Sequence, residues 1–341
     1  MNIFIIGGTG FISTKIVNRL LNKGHHVTVF TRGKTPIPFE SSKNLHIKTG
    51  DRNLKNDLRN AMGNQTYDVI YDMIAYEPEQ TRFTVENFKG KTGRFIYCST
   101  VSVYMISHEV QCPITEDQNN LPVMKFWDRN PFGMEYGIKK RECEKILWHH
   151  HDEQNFPVTI LRPTYVCGPE DPTLRDFFWI ERILDSQPLL IPGSGDFAFQ
   201  QVYVEDVAQA FVDVLTAPNT LGEAYNVAAE EIFSLNDYIK DLGKLLNRKP
   251  DVIHVDQQIF DKQSFSVNPY GDVFPFNTRR TAIFSLDKIK QDINYKAKPF
   301  STWMPITIDW YLNQYKGRSI GYERRDEEIA FLARFKKGKR K

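Results

Sequence analysis

Ile3-Phe4-Ile5-Ile6-Gly7-Gly8-Thr9-Gly10-Phe11-Ile12 opens the chain almost at once and decides how the rest is read. Four consecutive apolar residues, three of them β-branched, predict a strand buried on both faces. After Gly10, apolar side chains at Ile12, Ile16, Val17, Leu20 and Leu21 describe one helical stripe that Gly24 closes from the C′ position. A strand, a glycine turn and a helix in that order form the context in which a glycine motif carries weight. Gly7 permits the tight turn, and Gly10 lets backbone approach a pyrophosphate with no Cβ in the way. The helix amino terminus offers free N–H groups to the anion. Gly7, Gly8, Thr9, Gly10, Phe11 and Ile12 are therefore the expected dinucleotide cradle. Ser13 stands where the pattern has its third glycine, which predicts slightly looser packing of helix on strand.

Outward from this turn, strand-like runs at Val27–Phe30, Leu45–Ile47, Val69–Ile74, Phe95–Tyr97 and Val158–Leu161 alternate with helical stretches. Parallel strands need crossovers of that length, so the pattern predicts an α/β fold with a doubly wound parallel sheet. Residues 1–170 are expected to form the dinucleotide-binding domain. Segment 197–228 is expected to rejoin it, with Val202–Leu215 and Ala224–Val227 returning to the sheet. Prolines and aromatics become frequent after Pro169, and residues 171–196 and 229–325 read as a smaller substrate lobe over the strand carboxyl ends. The last segment, 326–341, reads as a charged, basic tail lying in solvent.

Composition narrows the classes. The 341 residues are 41% hydrophobic, enough for a sizeable core, and the formal charge of +2 gives no reason to expect a polyanionic partner. No apolar run approaches the roughly 20 residues that span a bilayer. Cys98, Cys112, Cys143 and Cys167 form neither a CxxC pair nor a cluster with histidine, which points to a reducing compartment, the cytoplasm, and to no metal. His149, His150 and His151 occupy consecutive helix positions and diverge too far to share one ion.

Three further sites carry chemistry. After the second strand, where a carboxylate would bind the ribose hydroxyls of NAD, the chain has Thr31-Arg32-Gly33-Lys34. Two cations in place of an acid favour a 2′-phosphate, hence NADP over NAD; solvated loop cations are the plainer alternative. Asp51, after the third strand, suits either an adenine contact or a cap for the helix from Leu54. Tyr136 and Lys140 lie at i, i+4 on one predicted helix face, where an ammonium favours the phenolate and can also reach a nicotinamide ribose. Thr100, at the carboxyl end of the strand through Phe95-Ile96-Tyr97, can hold a substrate oxygen opposite that phenol.

These segments resemble the extended short-chain dehydrogenase/reductases of the NAD-dependent epimerase/dehydratase family. The resemblance runs in family order through Gly7–Ile12, Ser99–Tyr104, Tyr136–Lys140, Leu161–Pro169, Val202–Ala208 and Tyr225–Val227. It implies a Rossmann-like sheet, Tyr136 as acid/base, Thr100 as its hydroxyl partner, and Lys140 tuning Tyr136 and binding ribose. A nucleotide sugar is the implied substrate and a homodimer the implied assembly. Two departures matter. Dehydratases of the family carry an Asp-Glu pair after the threonine, where this chain has Val101 and Ser102, so epimerisation or carbonyl reduction is expected instead. The arginine that meets the substrate diphosphate is replaced by Phe199, leaving Arg279 as the expected substitute. Thr31–Lys34 and Tyr71–Tyr76 are also similar to a subgroup that includes chloroplast stem-loop RNA-binding and isoflavone-reductase-like proteins. RNA binding is the alternative function this suggests.

Overall fold

The computed structural model describes residues 1–125, 133–268 and 271–338. Seven parallel strands form its central sheet: β1 (Asn2–Ile6), β2 (His26–Thr31), β3 (Leu45–Thr49), β4 (Tyr67–Asp72), β5 (Thr92–Cys98), β6 (Val158–Pro163) and β7 (Glu223–Val227). Their order is β7-β6-β5-β4-β1-β2-β3, so the fold is α/β and doubly wound. Ile3 pairs with Val27 on one side and Val69 on the other, placing β1 between β2 and β4. The chain winds one way from β1 and the other way from β4. The crevice where such a sheet binds ligands therefore lies beyond the carboxyl ends of these two strands.

One face of the sheet is covered by α1 (Phe11–Asn22), which ends at Gly24 with φ of +80°, and by α6 (Val204–Asp213) packed beside it. Ile16, Val17, Leu20, Val207 and Phe211 are the buried stripes that meet there. The other face carries α2 (Lys55–Met62), α3 (Pro78–Phe88) and α4 (Met134–Gln154), which bury Leu58, Phe88, Cys143 and Leu147 against Phe4, Ile70 and Phe95. The sheet is thus apolar on both faces, which explains the nearly continuous hydrophobic character of β1.

A second core, rich in aromatic rings, gathers α5 (Arg175–Leu184), α7 (Leu235–Leu245), α8 (Phe300–Asn313) and α9 (Arg325–Gly338). Trp179, Trp303, Tyr238 and Tyr311 are its bulkiest buried rings. Two expectations need correction. Only β7 rejoins the central sheet; Gln201–Tyr203 instead pairs with Tyr165–Cys167 in a separate two-stranded ribbon, and the apolar residues after it belong to α6. The expected tail is helical through Gly338. In α9, Glu328 pairs with Arg182 and Leu332 is fully buried, because that helix carries an apolar stripe hidden among its charges. Residues 339–341, the end of the basic run, lie outside the described residues.

Candidate active site

The turn after β1 is built as a cradle. Gly7 has φ of +86°, and a Cβ there would fall 2.5 Å from the Ile74 side chain in the loop after β4. Gly10 is the N-cap of α1, so the helix's first-turn N–H groups have no intrahelical acceptor. Ser13 does not loosen the turn. Its hydroxyl donates to the Gly7 carbonyl at 2.6 Å and accepts from the Gly10 N–H at 3.0 Å, so the side chain replacing the third glycine ties the loop down. Backbone, helix end and clearance together fit a dinucleotide pyrophosphate.

At the end of β2 the Thr31 hydroxyl meets that of Thr9 at 3.1 Å, while Arg32 and Lys34 are exposed beside it. Asp51 accepts from the Asn53 N–H at 2.9 Å, closing the turn that precedes α2, whose N-cap is Leu54 rather than Asp51. The neighbouring Arg52 is buried and donates to Asp72 at 2.6 Å. Asp72 is thereby committed to an internal ion pair at the end of β4.

Tyr136 and Lys140 stand one turn apart on α4, and a glycine between them sets the height of that helix. A Cβ at Gly137 would lie 2.6 Å from the Ser102 carbonyl, so only glycine lets α4 press against the turn that follows Thr100. Below it, Arg162 holds Glu144 at 2.9 and 2.6 Å, both side chains are buried, and Glu144 accepts from Ser99. The residue before Thr100 is thus fastened to the helix that carries Tyr136. The Thr100 hydroxyl is 3.1 Å from that of Ser102.

The electrostatics differ from the simplest expectation. Lys140 is buried, and its ammonium donates to the Ala75 carbonyl at 2.9 Å and the Cys98 carbonyl at 2.6 Å. Burial lowers its pKa, opposed by nearby acidic groups. The Tyr136 phenol is pushed well up, chiefly by burial, then by Cys98 and Tyr76; a hydrogen bond with Thr100 and the charge of Arg175 pull the other way. Arg175 is thus a cation that favours the phenolate, while the Lys140 ammonium is hydrogen-bonded to main-chain carbonyls.

Thr100, Tyr136 and Phe11 line one cavity of about 760 Å³ between the sheet and the aromatic lobe. The Phe11 contact makes it continuous with the amino terminus of α1. Phe199 forms part of the wall, stacked on Phe276 at 5.0 Å. Arg279 does not line this cavity: both its terminal nitrogens bond Asp261 at 2.8 Å. Asp261 and Asp272 of its own lobe hold the guanidinium, and the expectation that Arg279 would meet substrate is corrected. Two lining residues escaped the sequence reading, Arg175 and Asn277. Arg175 is the first residue of α5, an end of a helix that disfavours cations. That misplaced charge was the available signal.

Comparison with known proteins places these features in context. The family model described as NAD dependent epimerase/dehydratase matches residues 3–228. The chain is 29% identical over 309 residues to the chloroplast stem-loop binding protein of 41 kDa b of Arabidopsis thaliana, covering 87% of this chain and 75% of the relative. UDP-glucose 4-epimerase of Thermotoga maritima, solved with UDP-glucose, superposes with a TM-score of 0.72 at 19% identity over 93% of this chain and 100% of that one. UDP-glucuronic acid 4-epimerase of Bacillus cereus, solved with NAD, gives 0.70 at 22% over 93% and 100%.

Proposed function

Because the chain belongs to the NAD dependent epimerase/dehydratase family, we propose that it is a nicotinamide-dependent epimerase or reductase acting on a sugar nucleotide or a related hydroxyl compound. The observation that carries this reading is the single cavity in which the hydroxyls of Thr100 and Tyr136 adjoin the glycine turn through Phe11. When bound, the nicotinamide supplies a hydride acceptor or donor. Gly7, Gly8, Thr9, Gly10 and the first turn of α1 would hold the pyrophosphate, with Arg32 and Lys34 favouring the 2′-phosphate of NADP and Lys140 reaching toward the ribose.

Tyr136 moves the proton of the substrate hydroxyl, and Thr100 orients that oxygen. Burial raises the pKa of the phenol, and Thr100 and Arg175 are the groups that favour its ionised form. Val101 and Ser102 line the cavity beside Thr100 and bear no carboxyl, which supports epimerisation or reduction over elimination of water. Incubation with NADP or NAD, oxidised or reduced, and a panel of UDP-hexoses and their 4-keto derivatives, followed by proton NMR, tests the reading. Interconversion or ketone reduction with NADP bound more tightly than NAD is expected; failure to bind either dinucleotide would refute it.

A second reading, binding of a phosphate backbone, is favoured by the likeness to the stem-loop binding protein and by a groove of about 290 Å³ lined by Lys240, Lys244, Arg248 and Lys249. An RNA gel shift that weakens steeply with salt would support it, and no shift at low salt would remove it.

A further inference from the structure

Arg279 and Arg280 are consecutive yet grip different parts of the molecule. Arg279 is held within the aromatic lobe by Asp261 and Asp272. Arg280 reaches out of that lobe, and its terminal nitrogens donate to the Met105 carbonyl at 2.7 Å and the Ser107 carbonyl at 2.5 Å. It makes no ion pair with any described residue, so main-chain carbonyls are what its charge meets. Met105 ends the single helical turn Ser102–Met105, and the last carbonyls of so short a helix find few donors within it. Arg141, the residue after Lys140 on α4, takes another of them, its Nε donating to the Val103 carbonyl at 3.0 Å. The opposite end of the turn holds Thr100, whose hydroxyl oxygen accepts from the Ser102 N–H at 3.1 Å. Met105 and Thr278 line the cavity along with Thr100, so the Arg280 contact joins the lobe's side of the cavity to the side that carries Thr100.

We propose that Arg280 is a positioning residue that fixes the Thr100 hydroxyl, by clamping the turn Ser102–Met105 between the lobe and α4. An arginine suits this task because its rigid planar fork bridges two carbonyls at once, whereas a lysine ammonium is a single centre on a flexible stem. Arg279 completes the device from the other side, since its two acids keep the segment that carries Arg280 fastened to the lobe. With the clamp closed, Thr100 presents its oxygen at one height opposite Tyr136. With the guanidinium removed, Arg141 and apolar contacts alone hold the turn, and the Thr100 side chain gains freedom to rotate. A misplacement of about 1 Å at a reacting group costs on the order of 100-fold in rate.

This inference rests on the role proposed for Thr100, but its first test needs no turnover. Methyl NMR of threonine-labelled protein in the presence of NADP, with the Thr100 signal assigned through Thr100→Ser, gives the χ1 rotamer from three-bond couplings of the methyl carbon to the backbone. Wild-type protein should show one rotamer, Arg280→Ala averaging between rotamers, and Arg280→Lys an intermediate value; guanidinium ion added to Arg280→Ala should restore the single rotamer. On a substrate found among the UDP-hexoses and their 4-keto derivatives, Arg280→Ala should lower kcat about 100-fold with KM and NADP affinity little changed, and guanidinium should recover part of the rate. A single Thr100 rotamer retained in Arg280→Ala would overturn the assignment. So would equal averaging in Arg279→Ala, which loosens the lobe but spares the clamp. If Arg280→Ala does not melt cooperatively, Arg280→Lys decides, and a single rotamer in that variant contradicts the proposal. A fixed Thr100 in Arg280→Ala beside Tyr136-dependent turnover would sink the clamp alone; averaging in Arg280→Ala beside turnover that survives Thr100→Ala would sink the role proposed for Thr100 and leave the clamp standing.

Discussion

Replacing Asp176 by Asn should change how stability depends on pH, and the structure sets both sign and size. Asp176 is fully buried in α5; one carboxylate oxygen accepts from the Tyr238 hydroxyl at 2.7 Å and the Gln201 amide at 3.0 Å, and the other has no partner. Burial lifts its pKa from 3.8 to about 6 against the pull of those hydrogen bonds. Below pH 4 the group is protonated folded and unfolded, and it imposes no charge penalty. Between pH 4 and 6 the unfolded chain releases its proton while the folded one retains it, so stability falls as pH rises and the penalty is complete above about 6. The difference amounts to roughly 3 kcal/mol at neutral pH. Asn carries no charge, so its curve lacks this decline. It will leave the amide NH2 without a partner at a cost of about 1–3 kcal/mol that does not vary with pH. Urea midpoints of both proteins from pH 4 to 7 should therefore move in the variant's favour by about 3 kcal/mol across that range. Parallel curves would refute the reasoning.

Two further substitutions test how Tyr136 and Thr100 are brought together. Gly137→Ala puts a methyl group 2.6 Å from the Ser102 carbonyl and must push α4 outward. It should destabilise by about 1–3 kcal/mol and reduce turnover far more than dinucleotide affinity, measured by parallel rate and binding titrations. Glu144→Gln leaves Arg162 as a buried charge without its partner, so unfolding in urea should show a loss of about 3–5 kcal/mol, and less than 1 kcal/mol would mean that the network is slack.

The parts of the molecule that repeat a physical period were legible in the sequence. The strand, glycine turn and helix stripe of residues 3–24 needed only hydrophobic spacing and the demands of a tight turn, and so did six strands of the sheet. Features that depend on residues distant in sequence were not. Ser13 read as a packing defect because its bonds to Gly7 and Gly10 form only once the turn has closed. Lys140 is next to Tyr136 on a helical wheel, yet its ammonium is drawn to the carbonyls of Ala75, in the loop after β4, and Cys98, at the end of β5, that no local pattern brings together. Arg279 was misplaced and Arg175 overlooked for the same reason: the acids that occupy Arg279 lie in the irregular lobe, whose contacts follow from packing of rings rather than from periodicity. The helix from Arg325 was hidden because its apolar stripe is narrow and its ends are charged.

Stopped-flow absorbance at 340 nm, with dinucleotide-loaded protein mixed with a substrate found in the NMR panel, follows the hydride transfer that proton transfer by Tyr136 must accompany. With wild-type protein, reduction or oxidation of the nicotinamide should appear within the first turnover. Tyr136→Phe should bind the dinucleotide as tightly and leave the trace flat. A trace of undiminished rate and amplitude from that variant would contradict the role assigned to the phenol.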